Sequence, residues 1–328
     1  MATVISFIIV SILIYLGIAA ILIIFGKLRS VHPQEENPVF VELLRDYSGI
    51  PPLQTFLARD GASLHFRHYP ACASKVLILL HGSGWHSRYF YPLASHISTH
   101  DLAAVYTPDL RGHGAHPQHR GDIAYMDQLQ DDLADLIEVV RHRHPGARVI
   151  VGGHSSGGGL AIRFAGTSPG AEVDGYLLLS PWLQYNAPTV RPNAGGWAGP
   201  HTGRIIGLTM FNNIGIHLWD HLTAIEFNLP EKYRDGTETL SYSHRLNTGF
   251  APVNYKKALM AISQPVMVVV GTADRAFIAE QFGPAIRPYV NAEISLLPGV
   301  SHMGVVVGPE VREVITVWLN GFDADSRH

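Results

Sequence analysis

At 328 residues the chain is long enough for one large α/β domain or two small ones, and a net charge of −3 leaves no electrostatic footprint for nucleic acid. Hydrophobic residues make up 47% and charged residues 16%, which suits a globular core with an extra apolar segment attached. The single cysteine, Cys72, excludes an intrachain disulfide and a thiolate-rich metal site, in keeping with a reducing compartment.

Val4 to Phe25, VISFIIVSILIYLGIAAILIIF, runs without a charge. As a helix it would measure roughly 33 Å, enough for a hydrocarbon layer of about 30 Å. A cleaved leader would carry a basic residue before a shorter apolar run, and MAT carries none. Lys27 and Arg29 follow the segment instead, which places the remaining mass on the cytoplasmic side of a single-pass anchor. The expected organisation is therefore an anchor at 1–28 and a polar, proline-containing linker at 29–52.

From residue 53 the pattern alternates between strands and helices. FLARDGASLHFRHY reads as a hairpin turning at Asp60-Gly61. VLILL (76–80) and AAVYTPD (103–109) are short apolar runs of the kind buried in parallel sheets. IAYMDQLQDDLADLIEVVRHRHP (123–145) has helical spacing and ends at Pro145. RVIVGG leads into the helix GGGLAIRFAG, and VDGYLLLS (173–180), PVMVVVG (265–271) and AEISLLPG (292–299) supply further strands before a last helix at about 309–319. Such alternation predicts a mostly parallel sheet flanked by helices, with its core at 53–180 and 264–328. The interval 181–263 breaks the rhythm with Trp182, Trp197, Trp219 and apolar helical stretches such as IIGLTMFNNIGIHLW. It reads as a cap over the strand ends, where ligands of open α/β sheets bind.

The stretch VIVGGHSSGGG, between a buried strand and an apolar helix, is the chemically informative one. Its glycines fit neither the dinucleotide fingerprint nor the phosphate loop, which would need a lysine where glycine stands. They fit G-x-S-x-G in one frame only, Gly153-His154-Ser155-Ser156-Gly157, which makes Ser155 the candidate nucleophile on a tight strand-to-helix turn. In that geometry an acid and then a histidine follow in chain order. Asp274 follows the strong apolar strand PVMVVVGTAD, and His302 is the histidine left downstream once His328, in the polar tail, is set aside. An oxyanion would be held by the N–H groups of Ser156 and of Ser83, in the loop HGSGWHS. His81 reads as a structural residue holding that loop, and His154 as packed in the elbow.

With these pieces in place, HGSGWHSRYFYPLASHI, PDLRGHGAHP and GHSSGG resemble the α/β-hydrolase superfamily, over roughly residues 53–320. HGSGWHSRYFYPLASHI is similar to its monoacylglycerol lipase and lysophospholipase branch, which is serine aminopeptidase-like. The resemblance implies an α/β-hydrolase fold and a lipid-like carboxylic ester as the small-molecule substrate, with no cofactor. A serine aminopeptidase or thioesterase would use the same triad, and a membrane-tethered binding protein would keep the fold without catalysis. The chain departs from the branch at Ser156, where many relatives carry Met or Gln, and in having an anchor. Among the nineteen histidines, His113, His116 and His119 recur every three residues, and His217 and His221 share a helical spacing. The first set lies in a Gly/Pro loop and the second lacks the glutamate of a zinc-protease signature, so no metal is expected.

Overall fold

Alternate residues of the central strands feed two separate cores. The computed structural model describes residues 1–26, 38–191 and 196–324; Lys27, Arg29, the linker at 29–37, the patch at 192–195 and His328 lie outside them. The main sheet begins with β1 (Gln54–Leu57) and β2 (Ser63–Tyr69), the hairpin expected at Asp60-Gly61, with Gly61 at φ +81° where a side chain would be strained. β3 (Lys75–Leu80), β4 (Ala104–Asp109), β5 (Arg148–His154), β6 (Gly175–Leu179), β10 (Val266–Gly271) and β11 (Ala292–Leu297) run parallel, in the order β1-β2-β4-β3-β5-β6-β10-β11.

On β3, Val76, Ile78 and Leu80 point into a core with α3 (Gln128–Arg143) and α4 (Ser156–Ala165). Leu77 and Leu79 point into a second core with α2 (Tyr91–Thr99) and α11 (Glu310–Ala324). A period of two on a sheet covered on both faces makes every position apolar, which is why these strands read as unbroken hydrophobic runs. α5 (Ser168–Ala171), a single turn, joins α4 to β6.

The helix read from residue 123 starts five residues later. The Gln128 side chain accepts the Ala124 N–H at 2.6 Å and closes a turn ahead of the helix. Between β6 and β10 lies an insertion that forms its own small antiparallel sheet, β7 (Ala198–Pro200), β8 (Thr223–Phe227) and β9 (Ser241–Ser243). It also carries α6 (Thr202–Asn212), α7 (His244–Gly249) and α8 (Tyr255–Met260). The stretch read as continuous helix through Trp219 stops at Asn212. Gly215 takes φ +80° and Ile216 N–H reaches back to the Phe211 carbonyl at 3.0 Å, a glycine-dependent helix stop. β10 and β11 are joined through α9 (Phe282–Ile286), and α10 (Gly304–Val307) precedes α11.

α1 (Ala2–Phe25) has the length and composition of a membrane span or of a signal sequence. Its second half lies on α6, where Ala19 and Ile23 pack with Leu208 and Phe211. The Tyr15 hydroxyl donates to the Met210 carbonyl at 2.8 Å, and Arg204 Nε donates to the Ile23 carbonyl at 3.2 Å. Gly207 permits this approach, since a Cβ there would lie 2.6 Å from the Ala19 carbonyl oxygen. The first half, from Val4 to Ile14, is exposed along its length.

Candidate active site

Ser155 stands at the junction of β5 and α4 with φ 55° and ψ −121°, a conformation that costs a non-glycine residue strain and that surrounding structure must hold. Three backbone bonds hold it. Its N–H donates to the Leu179 carbonyl at 2.9 Å, and its carbonyl accepts from Trp182 at 2.8 Å and Gly159 at 3.1 Å. The glycines around it are steric necessities: a Cβ on Gly157 would strike the Leu80 and His81 carbonyls, and one on Gly153 the Gly157 backbone.

Asp274 follows β10 and His302 follows β11, so two neighbouring parallel strands deliver them to the same end of the sheet. His302 Nδ1 and Asp274 Oδ2 are 2.7 Å apart, with the Asp274 side chain fully buried. The other carboxylate oxygen accepts the N–H groups of Ala276 at 2.8 Å and Phe277 at 3.0 Å. Burial alone would raise this carboxyl, but the facing His302 ring and the two N–H donors outweigh it and hold the carboxyl below its ordinary value. An ionised carboxylate only accepts, so Nδ1 carries the ring proton and Nε2 presents a lone pair.

The His302 carbonyl accepts from His154 Nε2 at 3.0 Å, and the two rings lie 4.6 Å apart. His302 is thereby held beside the residue preceding Ser155. Among the described residues no hydrogen bond joins the Ser155 hydroxyl to His302, a link that commonly tightens only once substrate is bound.

The loop after β3 passes directly over the serine: a Cβ on Gly82 would sit 3.2 Å from Ser155 Cβ. The hydroxyls of Ser83 and Ser156 are 2.8 Å apart, so the two residues expected to supply oxyanion N–H groups touch through their side chains. Neither N–H has a protein acceptor among the described residues. That of Ser156 opens a helix, where no intrahelical partner exists. On either side of Ser83 the N–H groups are taken. Gly82 donates to the Tyr89 hydroxyl at 2.7 Å and Gly84 to the Tyr242 hydroxyl at 2.6 Å. His81 locks the base of the loop, its Nε2 accepting the Leu110 N–H at 3.0 Å. Burial keeps this ring neutral by pushing it down to about 4.

Three of the other singled-out histidines have defined neighbours. His113 is buried against Tyr242, the His116 ring lies 5.3 Å from that of His65, and His217 pairs with Asp220 at 3.0 Å. Two surface clefts of about 440 and 290 Å³ are lined respectively by Arg67, His86 and Arg88, and by His65, His113 and His116; Ser155, Asp274 and His302 line neither. Sequence reasoning named the residues on the strand ends but passed over Tyr89 and Tyr242. Tyr89 lay inside the stretch already quoted as diagnostic. Tyr242 reaches the site across 158 residues of chain, and no spacing rule marks it.

A parallel sheet with an elbow serine and an Asp–His pair at successive strand ends defines an α/β-hydrolase. The serine aminopeptidase S33 family matches residues 71–302, and the chain belongs to it. Human monoglyceride lipase is 31% identical over 156 residues, covering 47% of this chain and 50% of the human protein. The monoacylglycerol lipase of Mycolicibacterium smegmatis is 30% identical over 106 residues, covering 32% and 37%. The chain thus matches half or less of the length of these curated relatives. Among solved structures, a soluble variant of the Saccharomyces cerevisiae monoglyceride lipase superposes with a TM-score of 0.65 at 19% identity, over 83% of this chain and 96% of that one. The Paleococcus ferrophilus monoacylglycerol lipase gives 0.59 at 22% identity, over 79% and 98%. At these identities the structural likeness establishes the fold.

Proposed function

We propose that the protein is a membrane-anchored serine hydrolase that cleaves lipid-like carboxylic esters, of the monoacylglycerol or lysophospholipid type. The observation that carries this reading is the strained serine at the β5–α4 elbow, at the same end of the parallel sheet as the Asp274–His302 pair. His302 Nε2 takes the proton of Ser155 as its hydroxyl attacks the ester carbonyl, and Asp274 stabilises the imidazolium. The N–H groups of Ser83 and Ser156 receive the charge that develops on the carbonyl oxygen. His302 then protonates the leaving alcohol and activates water against the acyl-enzyme. No cofactor enters these steps. The insertion at 181–263 serves as a cap over the acyl site.

The lipid-like substrate is supported by the names of the relatives and by α1. The bare first half of that helix and the exposed Ile206, Ile214 and Leu218 of the cap make an apolar surface suited to a bilayer. Lys27 and Arg29, just beyond α1 in the sequence, favour a cytoplasmic catalytic domain. The family's name supports a second reading, peptide-amide hydrolysis by the same residues; a thioesterase would use them too.

A fluorophosphonate probe tests the chemistry on the full chain. Labelling that disappears in Ser155→Ala, with kcat reduced about 10⁶-fold, is the expected result. No labelling of the wild type would favour a binding protein, and activity of Ser155→Ala within tenfold of wild type would overturn the mechanism. Comparing monoacylglycerols, lysophospholipids, thioesters and peptide amides then separates the substrate classes.

A further inference from the structure

Two tyrosines grip the oxyanion loop from opposite sides, and they do so by the same device. On the core side, the Tyr89 hydroxyl accepts the Gly82 N–H and lies 3.1 Å from His154 Nδ1. His154 Nε2 donates to the His302 carbonyl, so Nδ1 is the acceptor and the phenol donates to it. On the cap side, the Tyr242 hydroxyl accepts the Gly84 N–H at 2.6 Å and lies 2.6 Å from His113 Nε2. His113 Nδ1 donates to the Arg111 carbonyl at 3.0 Å, so Nε2 accepts and this phenol donates as well.

Each phenol therefore fills both of its roles. Each is tied to a fully buried histidine that burial keeps neutral, well below its ordinary value. Burial also drives both phenols upward, so their protons stay in place. The grip on Gly84 is doubled, because its carbonyl accepts the Thr239 N–H at 3.1 Å. Gly84 itself sits at φ +80°, a conformation these two bonds hold in place.

From this geometry we propose that Tyr242, supplied by the cap and backed by His113, is a positioning residue that aims the Ser83 N–H at the oxyanion. The cap thereby becomes part of the frame of the catalytic hole as well as its cover. With Gly82 and Gly84 both engaged, the N–H between them is the one left for the substrate. Loss of the Tyr242 bond frees one end of a two-ended clamp and lets that donor swing. This proposal rests on the serine-hydrolase reading above.

Tyr242→Phe in the full-length protein removes the hydroxyl and keeps the ring, which stacks on Phe250 at 5.4 Å and meets Phe227 edge-on at 4.7 Å. The measurements are kcat and KM for a p-nitrophenyl ester, and the affinity of a boronic acid that mimics the oxyanion beside that of an unreactive ether analogue of the substrate. Complete removal of an oxyanion donor costs about 10²–10³-fold in kcat, so misaiming one should cost about 10- to 100-fold. KM and ether affinity are expected to stay within about twofold, while boronate affinity falls with kcat. His113→Leu, which removes the acceptor of the Tyr242 hydroxyl and leaves Tyr242 intact, should move the same quantities in the same direction, and it carries the test if Tyr242→Phe does not fold. A kcat within twofold of wild type, or equal losses of ether and boronate binding, would overturn the positioning role. Ser155→Ala run alongside separates the two ideas: if it keeps activity the hydrolase reading fails, whereas if it is dead and Tyr242→Phe is fully active only the positioning role fails.

Discussion

The main sheet and the insertion solve different problems with different materials. β3, β4, β6 and β10 are buried from end to end, and their apolar side chains lock into two cores. The insertion has strands of only three to five residues, and some of its buried polar groups pair with one another. Asp220, for instance, accepts from both His217 and His244. It also leaves large apolar side chains in solvent, with Leu218 70% exposed. The difference teaches where rigidity is spent. Strand ends fixed by dense packing carry Ser155 and the Asp274–His302 pair, and the insertion is free to shape a surface. The loop after β3 is where the two meet, gripped by Tyr89 from one and Tyr242 from the other.

The sharpest way to break this division is through the core's chemistry. Asp274→Asn keeps the shape of the carboxyl but offers His302 the wrong hydrogen-bonding partner, so kcat should fall about 10⁴-fold with little change in thermal stability. A fall below tenfold would show that the pair is structural. Next in size is packing. Leu177→Ala removes a fully buried side chain from the second core and should cost about 2–5 kcal/mol in urea unfolding. A cost under 1 kcal/mol would mean that this core is far looser than its burial implies.

Acid should act through buried histidines that all belong to the main-sheet side of the divide. His81, His154 and His113 are buried and held below their ordinary 6.5, with burial the main cause and His81 near 4. The unfolded chain binds protons at these sites that the folded one refuses, so stability is complete above 6.5 and is lost as pH falls from there toward 4. The melting temperature should decline across that window, and a flat profile would contradict the neutral, hydrogen-bonded rings. The smallest effect belongs to the surface: Leu218→Ser should change stability by less than about 0.5 kcal/mol while weakening binding of the full chain to phosphatidylcholine vesicles. A loss above 2 kcal/mol would mean that Leu218 is packed like core.

Much of the candidate site was legible in the sequence, for local reasons. The elbow glycines are required because backbone carbonyls occupy the space where side chains would project, and such a requirement leaves its mark in adjacent letters. Asp274 and His302 were legible because each follows an apolar strand in chain order, and parallel strands bring those ends together. Element ends were less so. A side-chain turn at Gln128 and a left-handed Gly215 moved helix boundaries that apolar spacing alone had extended.

By itself the sequence determined the alternating α/β order, the elbow and the apolar N-terminal helix, because all three are written in periodicities and steric limits a few residues long. Only the tertiary structure decided that α1 lies on α6, that Ser83 and Ser156 join through their hydroxyls, and that Tyr242 closes the loop after β3 from the far side. Those contacts pair residues distant in the chain through single hydrogen bonds or one shared face, and nothing periodic records them. They exist because packing brings the surfaces together and buried polar groups then take whatever partner is in reach.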